Sequence, residues 1–396
     1  MKSTVGIVGQ GYVGLPLALA ASKAGNRVYG IDNDRYLVEL LNSGKSRIED
    51  ISDFDILEQI NSKRYEATLD FARLSECEVK IICVPTPLAN SKPDLSFLIE
   101  AVKKVGKYLN EKDLVLIEST IEPGTTRNLV IPLLEKESGL KKEDFYVVFS
   151  PERIDPTNSV WNLNNTPKLV AGMTPEATRI ASNFYSLFIN SIIECESFEV
   201  AETAKLLENT FRLINISFIN EISMFCHKLG IDVNQVIKAA ASKPYGFMAF
   251  YPSIGVGGHC IPVDPIYLAR KANEIGAPTQ FIDLAAQVNQ EMPTYYVGRA
   301  EEILGELKGK KILVIGVSYK PNIADVRETP VRSLISGLTS KGAQVFWNDD
   351  LVKEWKGEKS VDLSNEYDLA ILATPHDYLD LSKLGDIPIL NTRGSI

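Results

Sequence analysis

The sequence predicts an α/β fold in which two doubly wound units are joined by a central helical segment. Three observations support it. Short apolar runs alternate with helix-like stretches from Val5 to Val170. From about Phe198 to Gly230 the strand signals vanish and apolar residues keep helical spacing. Strand–helix alternation returns at Lys310. Such alternation is the signature of a parallel sheet with helices on both faces.

In order, Val5–Val8 reads as a strand, Pro16–Ala24 as a helix and Arg27–Ile31 as a second strand. Val79–Val84, Leu114–Ile117, Tyr146–Phe149 and Lys168–Val170 are further strands. Ala201, Ala204, Leu207, Phe211, Ile214 and Phe218 then recur at the spacing of one long helix. Val233–Ala241 and Gln280–Gly305 continue as helices, separated by Lys243–Pro265, a loop rich in Pro, Gly and aromatics. Lys311–Val317, Gln344–Trp347 and Leu369–Ala373 read as strands, with a helix at Pro330–Lys341. Three segments follow: 1–197, 198–300 and 301–396.

The chain has 396 residues, too many for one ordinary domain. Its apolar content of 45 % suits buried cores. A formal net charge of -9 argues against a nucleic-acid or anionic-membrane partner. Any phosphate site must then be local, built from backbone N–H groups and a few placed cations. No stretch reads as a signal peptide, and no apolar run approaches the roughly 18 residues of a membrane span. Cys77, Cys83, Cys195, Cys226 and Cys260 are odd in number and lack metal-like spacing. Thiols in a reducing cytoplasm and no metal site are expected.

Gly9-Gln10-Gly11-Tyr12-Val13-Gly14 is a G-x-G-x-x-G. Alone the pattern is weak. Here it follows a strand, opens a helix, and precedes Asp32 at the end of the next strand, about twenty residues on. Glycines at these positions permit the turn and let backbone approach a pyrophosphate, which the helix N-terminus then faces. Asp32 would accept from ribose hydroxyls and repel a 2'-phosphate, so NAD is expected over NADP. A tight turn without ligand, or a different nucleotide such as FAD, is the alternative. Both α/β units are therefore read as Rossmann-like, although Gly316-Val317-Ser318-Tyr319-Lys320 in the second lacks the triple glycine.

The most unusual stretch is Gly255-Val256-Gly257-Gly258-His259-Cys260-Ile261-Pro262-Val263-Asp264. Its glycines are expected to clear side chains from around Cys260 so that a substrate can reach the sulfur, where a nucleophilic thiol would be useful. A single cysteine is otherwise a small core residue. That bland reading suffices for Cys77, Cys83, Cys195 and Cys226. Adjacent residues point apart, so His259 is not expected to pair with Cys260, and His227 and His376 carry no motif. Lys205 and Asn209 share one helix face, a spacing that equally fits a solvated surface. Glu152, in Ser150-Pro151-Glu152-Arg153-Ile154-Asp155-Pro156 after a strand, could act on water or sit in a surface loop.

Together, Gly-Tyr-Val-Gly-Leu-Pro near the N-terminus and Gly-Gly-His-Cys-Ile-Pro-Val-Asp resemble the UDP-glucose/GDP-mannose dehydrogenase family. Further matching motifs are Cys83-Val84-Pro85-Thr86-Pro87, Glu118-Ser119-Thr120, Pro123-Gly124-Thr125-Thr126 and Ala201-Glu202-Thr203-Ala204-Lys205. Tyr319-Lys320-Pro321-Asn322 and Arg327-Glu328-Thr329-Pro330 complete the order, so the resemblance spans nearly the whole chain. It implies an NAD-binding domain, a central helical dimerisation segment and a C-terminal UDP-binding domain, with the active site between them. It implies NAD contacts at Tyr12, Val13, Asp32, Thr86, Thr120 and Arg327, with Arg35 standing in for the basic residue that the family often has where Leu37 lies. It implies substrate contacts at Glu152, Arg153, Ile154, Asp155, Lys205, Asn209, Phe250, Tyr251, Ser253, Gly257, Lys320 and Arg393.

The chemistry implied is a double oxidation of C6 of a sugar, through a thioester on Cys260. Lys205 and Asn209 would stabilise oxyanion charge, Thr120 and Asp264 would hold a water, and Glu152 would assist hydrolysis. The Glu152–Pro156 run and Lys243-Pro244-Tyr245-Gly246-Phe247-Met248 look more like the UDP-N-acetylhexosamine branch than the hexose branch. UDP-N-acetylglucosamine is the expected substrate; UDP-N-acetylmannosamine, UDP-N-acetylgalactosamine and UDP-glucose are alternatives. A homodimer is expected, because the long helix carries more apolar surface than one core face needs. A β-hydroxyacid dehydrogenase would share the first domains without needing Cys260, and a non-catalytic NAD sensor would leave that thiol without a purpose.

Overall fold

A computed structural model describes residues 2–48, 51–89, 92–155, 158 and 160–394. The chain divides into two compact units, Met1–Leu207 and Glu208–Ile396. The boundary falls within one helix.

In the first unit, β1 (Thr4–Val8), α1 (Gly14–Lys23), β2 (Arg27–Ile31), α2 (Arg35–Asn42), α3 (Asp53–Asn61), β3 (Tyr65–Thr68) and β4 (Val79–Ile82) follow in turn. A short hairpin, β5 (Leu88–Ala89) with β6 (Lys92–Pro93), leads to α4 (Ser96–Lys107), β7 (Leu114–Ile117), α5 (Ile131–Ser138) and β8 (Tyr146–Phe149). Then come β9 (Lys168–Gly172), α6 (Pro175–Tyr185), β10 (Ile192–Glu194) and the start of α7 (Phe198–Leu229). The large strands form one eight-stranded sheet in the order β10-β9-β8-β7-β4-β1-β2-β3. Alternate residues of each strand feed opposite cores, as the two-residue period requires. Val5 and Ile7 pack with α1, α2 and α6, whereas Val8 packs with α4 and α5.

The expected all-parallel sheet needs one correction. β9 runs antiparallel to β8, while β10 runs parallel to β9. No crossover helix lies between β8 and β9 among the described residues, so the chain returns beside β8 in the opposite direction. Helix α6 then supplies a crossover to β10. Its start is well specified: Thr174 accepts from the Ala177 N–H, and Pro175 occupies the first turn.

The second unit holds the rest of α7, then α8 (Val233–Ala241), α9 (Asp264–Glu274) and α10 (Gln280–Leu304). Next are β11 (Lys311–Ile315), α11 (Val331–Ser340), β12 (Gln344–Asn348), a hairpin of β13 (Glu354–Trp355) and β14 (Glu358–Lys359), β15 (Leu369–Leu372) and β16 (Ile389–Asn391). Strands β12-β11-β15-β16 form a parallel sheet. α10 and α11 cover one face over Ile312 and Val314. On the other, Leu313 and Ile315 are covered by Val361, Leu363, Leu379 and Leu381, from loops and a short 3-10 helix. α9 is not foreseen by apolar spacing. It begins where the expected Lys243–Pro265 loop ends, and its exposed face is charged through Arg270 and Glu274. Among the described residues, no helix is long and apolar enough to cross a membrane.

Candidate active site

The glycine loop between β1 and α1 has the form an anion site needs. Gly9 has φ +92°, and a Cβ there would lie 2.6 Å from the Cys83 carbonyl oxygen. A Cβ on Gly14 would lie 1.8 Å from the Gly9 carbonyl oxygen. Gly11 differs: a Cβ there would meet nothing within 4 Å, which leaves open room above the loop. Val13 caps α1 without a side-chain hydrogen bond, so the first N–H groups of the helix are not claimed by a capping side chain. Beyond β2, Asp32 accepts from the Gln10 N–H at 2.8 Å and the Asp34 N–H at 3.0 Å. Two backbone donors thus aim its carboxylate beside the loop. Arg35 is exposed at the first position of α2. The turns after β4 and β7 are tied together, since Thr86 Oγ1 donates to the Thr120 carbonyl at 2.8 Å. Loop, helix end and carboxylate fit an adenine dinucleotide.

The same unit brings Glu152 and Lys205 together. Lys205 Nζ lies 3.7 Å from Glu152 Oε2, and both side chains are largely buried. Two further buried groups, neither foreseen from sequence, set this pair. Glu202, one turn before Lys205, accepts from the Gly124 N–H at 2.6 Å, the Thr126 N–H at 3.0 Å and the Thr126 hydroxyl at 2.7 Å. Burial pushes its pKa up, opposed by those hydrogen bonds. Lys168 holds the start of the turn that carries Glu152, donating to the Ser150 and Pro151 carbonyls. Glu118, Glu152, Arg153 and Lys168 line a pocket with Val13, at the N-cap of α1, and Leu17 within it. The cofactor loop and the acidic turn therefore share one cavity. Arg153 Nη1 donates to the Pro167 carbonyl at 2.7 Å. Ile154 and Asp155 continue the turn, half-buried, and Pro156 lies outside the described residues.

In the second unit Cys260 is exposed, as is His259. The Cys260 carbonyl accepts from the Asp264 N–H at 2.8 Å, so the thiol sits one turn ahead of α9. Asp264 is buried, and its Oδ2 accepts from Asn209 Nδ2 at 2.6 Å. The structure thus joins three residues singled out in the sequence. The glycines around Cys260 also meet a packing demand. A Cβ on Gly257 would lie 2.5 Å from the Glu328 carbonyl oxygen, and one on Gly258, at φ +80°, would lie 2.7 Å from the Tyr319 ring. They admit close packing against the Tyr319 and Glu328 segments.

A third glycine rests on a flaw in α10. Pro293 lies inside that helix and has no N–H for the Asn289 carbonyl. A Cβ on Gly255 would lie 3.0 Å from that carbonyl oxygen. The Asn289 side chain accepts from the Val256 N–H at 2.7 Å and donates to the Val256 carbonyl at 3.3 Å. Earlier in the loop, Ser253 N–H donates to Asn220 Oδ1 at 2.9 Å, and Phe250 packs edge-on to Phe211 at 5.7 Å. Tyr251 is exposed.

At the ends of β11 and β15, His376 is buried rather than ordinary. Its Nδ1 accepts from the Asn322 N–H at 2.8 Å, and its Nε2 lies 3.1 Å from Asp349 Oδ1. Asn322 Nδ2 donates to Asp377 at 2.7 Å. These bonds fix the segment carrying Lys320, which is half-buried. Arg327 is clamped by Asp325, with Nε 2.8 Å from Oδ1. Arg393 is exposed, and its carbonyl accepts from Asn234 at 3.0 Å. No cluster of three potential metal ligands occurs among the described residues.

A glycine-loop sheet with an aspartate held beside the loop after its second strand, followed by helices and a second parallel sheet, defines the dinucleotide-binding α/β class. The chain belongs to the UDP-glucose/GDP-mannose dehydrogenase family: its NAD binding domain matches residues 3–189, its central domain 199–291 and its UDP binding domain 313–389. The chain is 36% identical over 378 residues to a UDP-N-acetyl-D-glucosamine 6-dehydrogenase of Pseudomonas aeruginosa, covering 94% of this chain and 87% of that one. It is 33% identical to a UDP-N-acetyl-D-mannosamine dehydrogenase of Pyrococcus horikoshii, covering 94% and 89%. The solved structure of a UDP-D-ManNAc dehydrogenase from Pyrococcus horikoshii superposes with a TM-score of 0.92 at 31% identity, covering 98% and 95%. The protein is an NAD-dependent UDP-sugar 6-dehydrogenase with two Rossmann-like domains and a helical central segment.

Proposed function

We propose that this enzyme oxidises C6 of UDP-N-acetylglucosamine twice, to the uronic acid, through a thioester on Cys260. The observation that carries the covalent step is the exposed thiol of Cys260, beside the buried Asp264–Asn209 pair. Residues 1–197 hold NAD, through Gly9, Gly11, Tyr12, Val13, Gly14, Asp32, Arg35, Thr86 and Thr120; Arg327 adds a contact from the last segment. Residues 198–300 carry the cysteine loop, and 301–396 bind the UDP part through Lys320 and Arg393. NAD, when bound, supplies the hydride acceptor for each oxidation.

Cys260, as thiolate, adds to the C6 aldehyde left by the first oxidation. The second oxidation turns the resulting thiohemiacetal into a thioester. Lys205 offsets the oxyanion charge that develops at C6, and Asn209, oriented by Asp264, adds a hydrogen bond. Glu152 takes a proton from the water that attacks the thioester. The water's oxygen bonds to the carbonyl carbon, the C–S bond breaks, and the electron pair returns to the Cys260 sulfur.

The choice of sugar rests on the Arg153–Pro156 run, the Lys243–Met248 loop and the Pseudomonas relative. UDP-N-acetylmannosamine is the second reading, supported by the Pyrococcus relative. A side-by-side assay of NADH formation decides. UDP-N-acetylglucosamine is expected to give the highest kcat/KM among UDP sugars, and a higher value for UDP-glucose would overturn the branch assignment.

The enzyme acts as a homodimer in the cytoplasm. On α7, Phe218 and Phe225 are 57% and 60% exposed, one heptad apart, and Phe211 and Leu229 extend the exposed stripe. Single chains rarely leave so many large apolar groups in water. Light scattering at micromolar concentration should give twice the chain mass, and Phe218→Glu should reduce it toward the monomer. A monomeric wild type rejects this assembly.

A further inference from the structure

Lys168 is a charged residue in a place that an apolar one would fill. It opens β9 and is 5% exposed, and its neighbours in the strand, Leu169 and Val170, belong to the core. Burying an ammonium group is costly unless its donors are all used. Here they are. Nζ donates to Glu118, to the Ser150 carbonyl at 3.2 Å and to the Pro151 carbonyl at 3.0 Å. Glu118 is 2% exposed and also accepts from the Tyr185 hydroxyl at 2.6 Å. Lys168 Nζ lies 5.1 Å from the centre of the Tyr185 ring. Burial, and then the Glu118 charge, push the Tyr185 pKa far up, so this phenol stays a donor.

The two carbonyls held by Lys168 are those immediately before Glu152. Ser150 is bonded through its hydroxyl to the Leu169 carbonyl at 2.7 Å, so the start of the turn is stitched to β9. Pro151 has no N–H with which to make a ladder bond of its own. The ammonium group therefore replaces regular pairing at the point where the backbone turns toward Glu152.

We propose that Lys168 is a positioning residue for hydrolysis of the acyl-enzyme: seated on Glu118 and Tyr185, it holds the Ser150 and Pro151 carbonyls and thereby aims the Glu152 carboxylate. Lys168 does not touch the reacting atoms. Its effect is confined to the step in which Glu152 accepts a proton from water as the C–S bond to Cys260 breaks, and it rests on the thioester chemistry proposed above.

The test compares Lys168→Met with wild type by rapid mixing with saturating NAD and UDP-N-acetylglucosamine, alongside Glu152→Gln. Lys168→Met should keep the NADH burst amplitude of wild type, while its steady-state rate falls roughly 10- to 100-fold, the scale of a small misplacement. Intact-protein mass spectrometry should show added mass, and kcat/KM for NAD should not change, so that KM falls together with kcat. Because Met leaves Glu118 buried without its cation, the Lys168→Met/Glu118→Gln double variant is measured too, and it carries the test if the single variant does not fold. A wild-type steady-state rate, with adduct still seen on Glu152→Gln, overturns the role of Lys168 and leaves the thioester chemistry standing. Burst and steady state falling in proportion also overturn it, since that is loss of folded enzyme. No adduct on Glu152→Gln sinks both.

Discussion

Cys260→Ser forms no uronic acid above background, a loss of at least about 10³-fold, because a hydroxyl is a far weaker nucleophile than a thiolate near neutral pH. The exposed thiol lies outside every hydrophobic core, so the substitution should leave the melting temperature and NAD binding nearly unchanged. The readout is direct: uronic acid measured by mass spectrometry, with NADH followed in parallel. A serine protein that makes the acid at near wild-type rate would reduce Cys260 to a structural residue.

Glu152→Gln acts later and looks different. Glutamine keeps the size of the side chain and its hydrogen-bonding reach, but not the carboxylate that accepts a proton from water. Turnover should fall by about 10²- to 10⁴-fold, the range for loss of a general base. The hydride transfers that precede hydrolysis continue until the thiol is acylated. The protein should then carry the mass of the uronyl group, and Cys260→Ser in the same chain should abolish that adduct. Lys205 adds a second expectation. Its carboxylate partner at 3.7 Å is neutralised, so KM for the sugar can shift, but the adduct identifies the blocked step. Absence of the adduct, with the Cys260 result intact, assigns water activation to another group.

Legibility in the sequence followed locality. The glycine loop and Asp32 were readable because one strand, one turn and the next strand bring them together. The α7 helix was readable because its apolar residues repeat at helical spacing, although Leu207, Phe211 and Phe218 of that repeat face outward. Lys168, Glu118 and Tyr185 were not readable as a set, since 50 residues separate the first pair and 67 the second. A clue existed in the lysine that opens an otherwise apolar strand. Glu202 was quoted only as part of a motif, and its partners lie 78 and 76 residues away. The direction of β9 could not be read from strand propensity, because periodicity says which face is buried and not which way the chain runs. The packing that Gly257 and Gly258 serve could not be read in the sequence, since the atoms a Cβ there would meet belong to Tyr319 and Glu328, far along the chain.

The interrupted helix beneath the cysteine loop bears on any effort to make this enzyme more heat-resistant. A proline in a helix interior costs roughly 3 kcal/mol relative to alanine, so replacing Pro293 is the obvious repair. Yet an alanine N–H would claim the Asn289 carbonyl on which Gly255 rests, and draw in the residue whose side chain holds Val256. The gain in melting temperature would come out of the placement of the loop that carries the thiol. Thermostabilisation is better sought at the surface of this helix, where a stronger helix former moves nothing that Cys260 depends on.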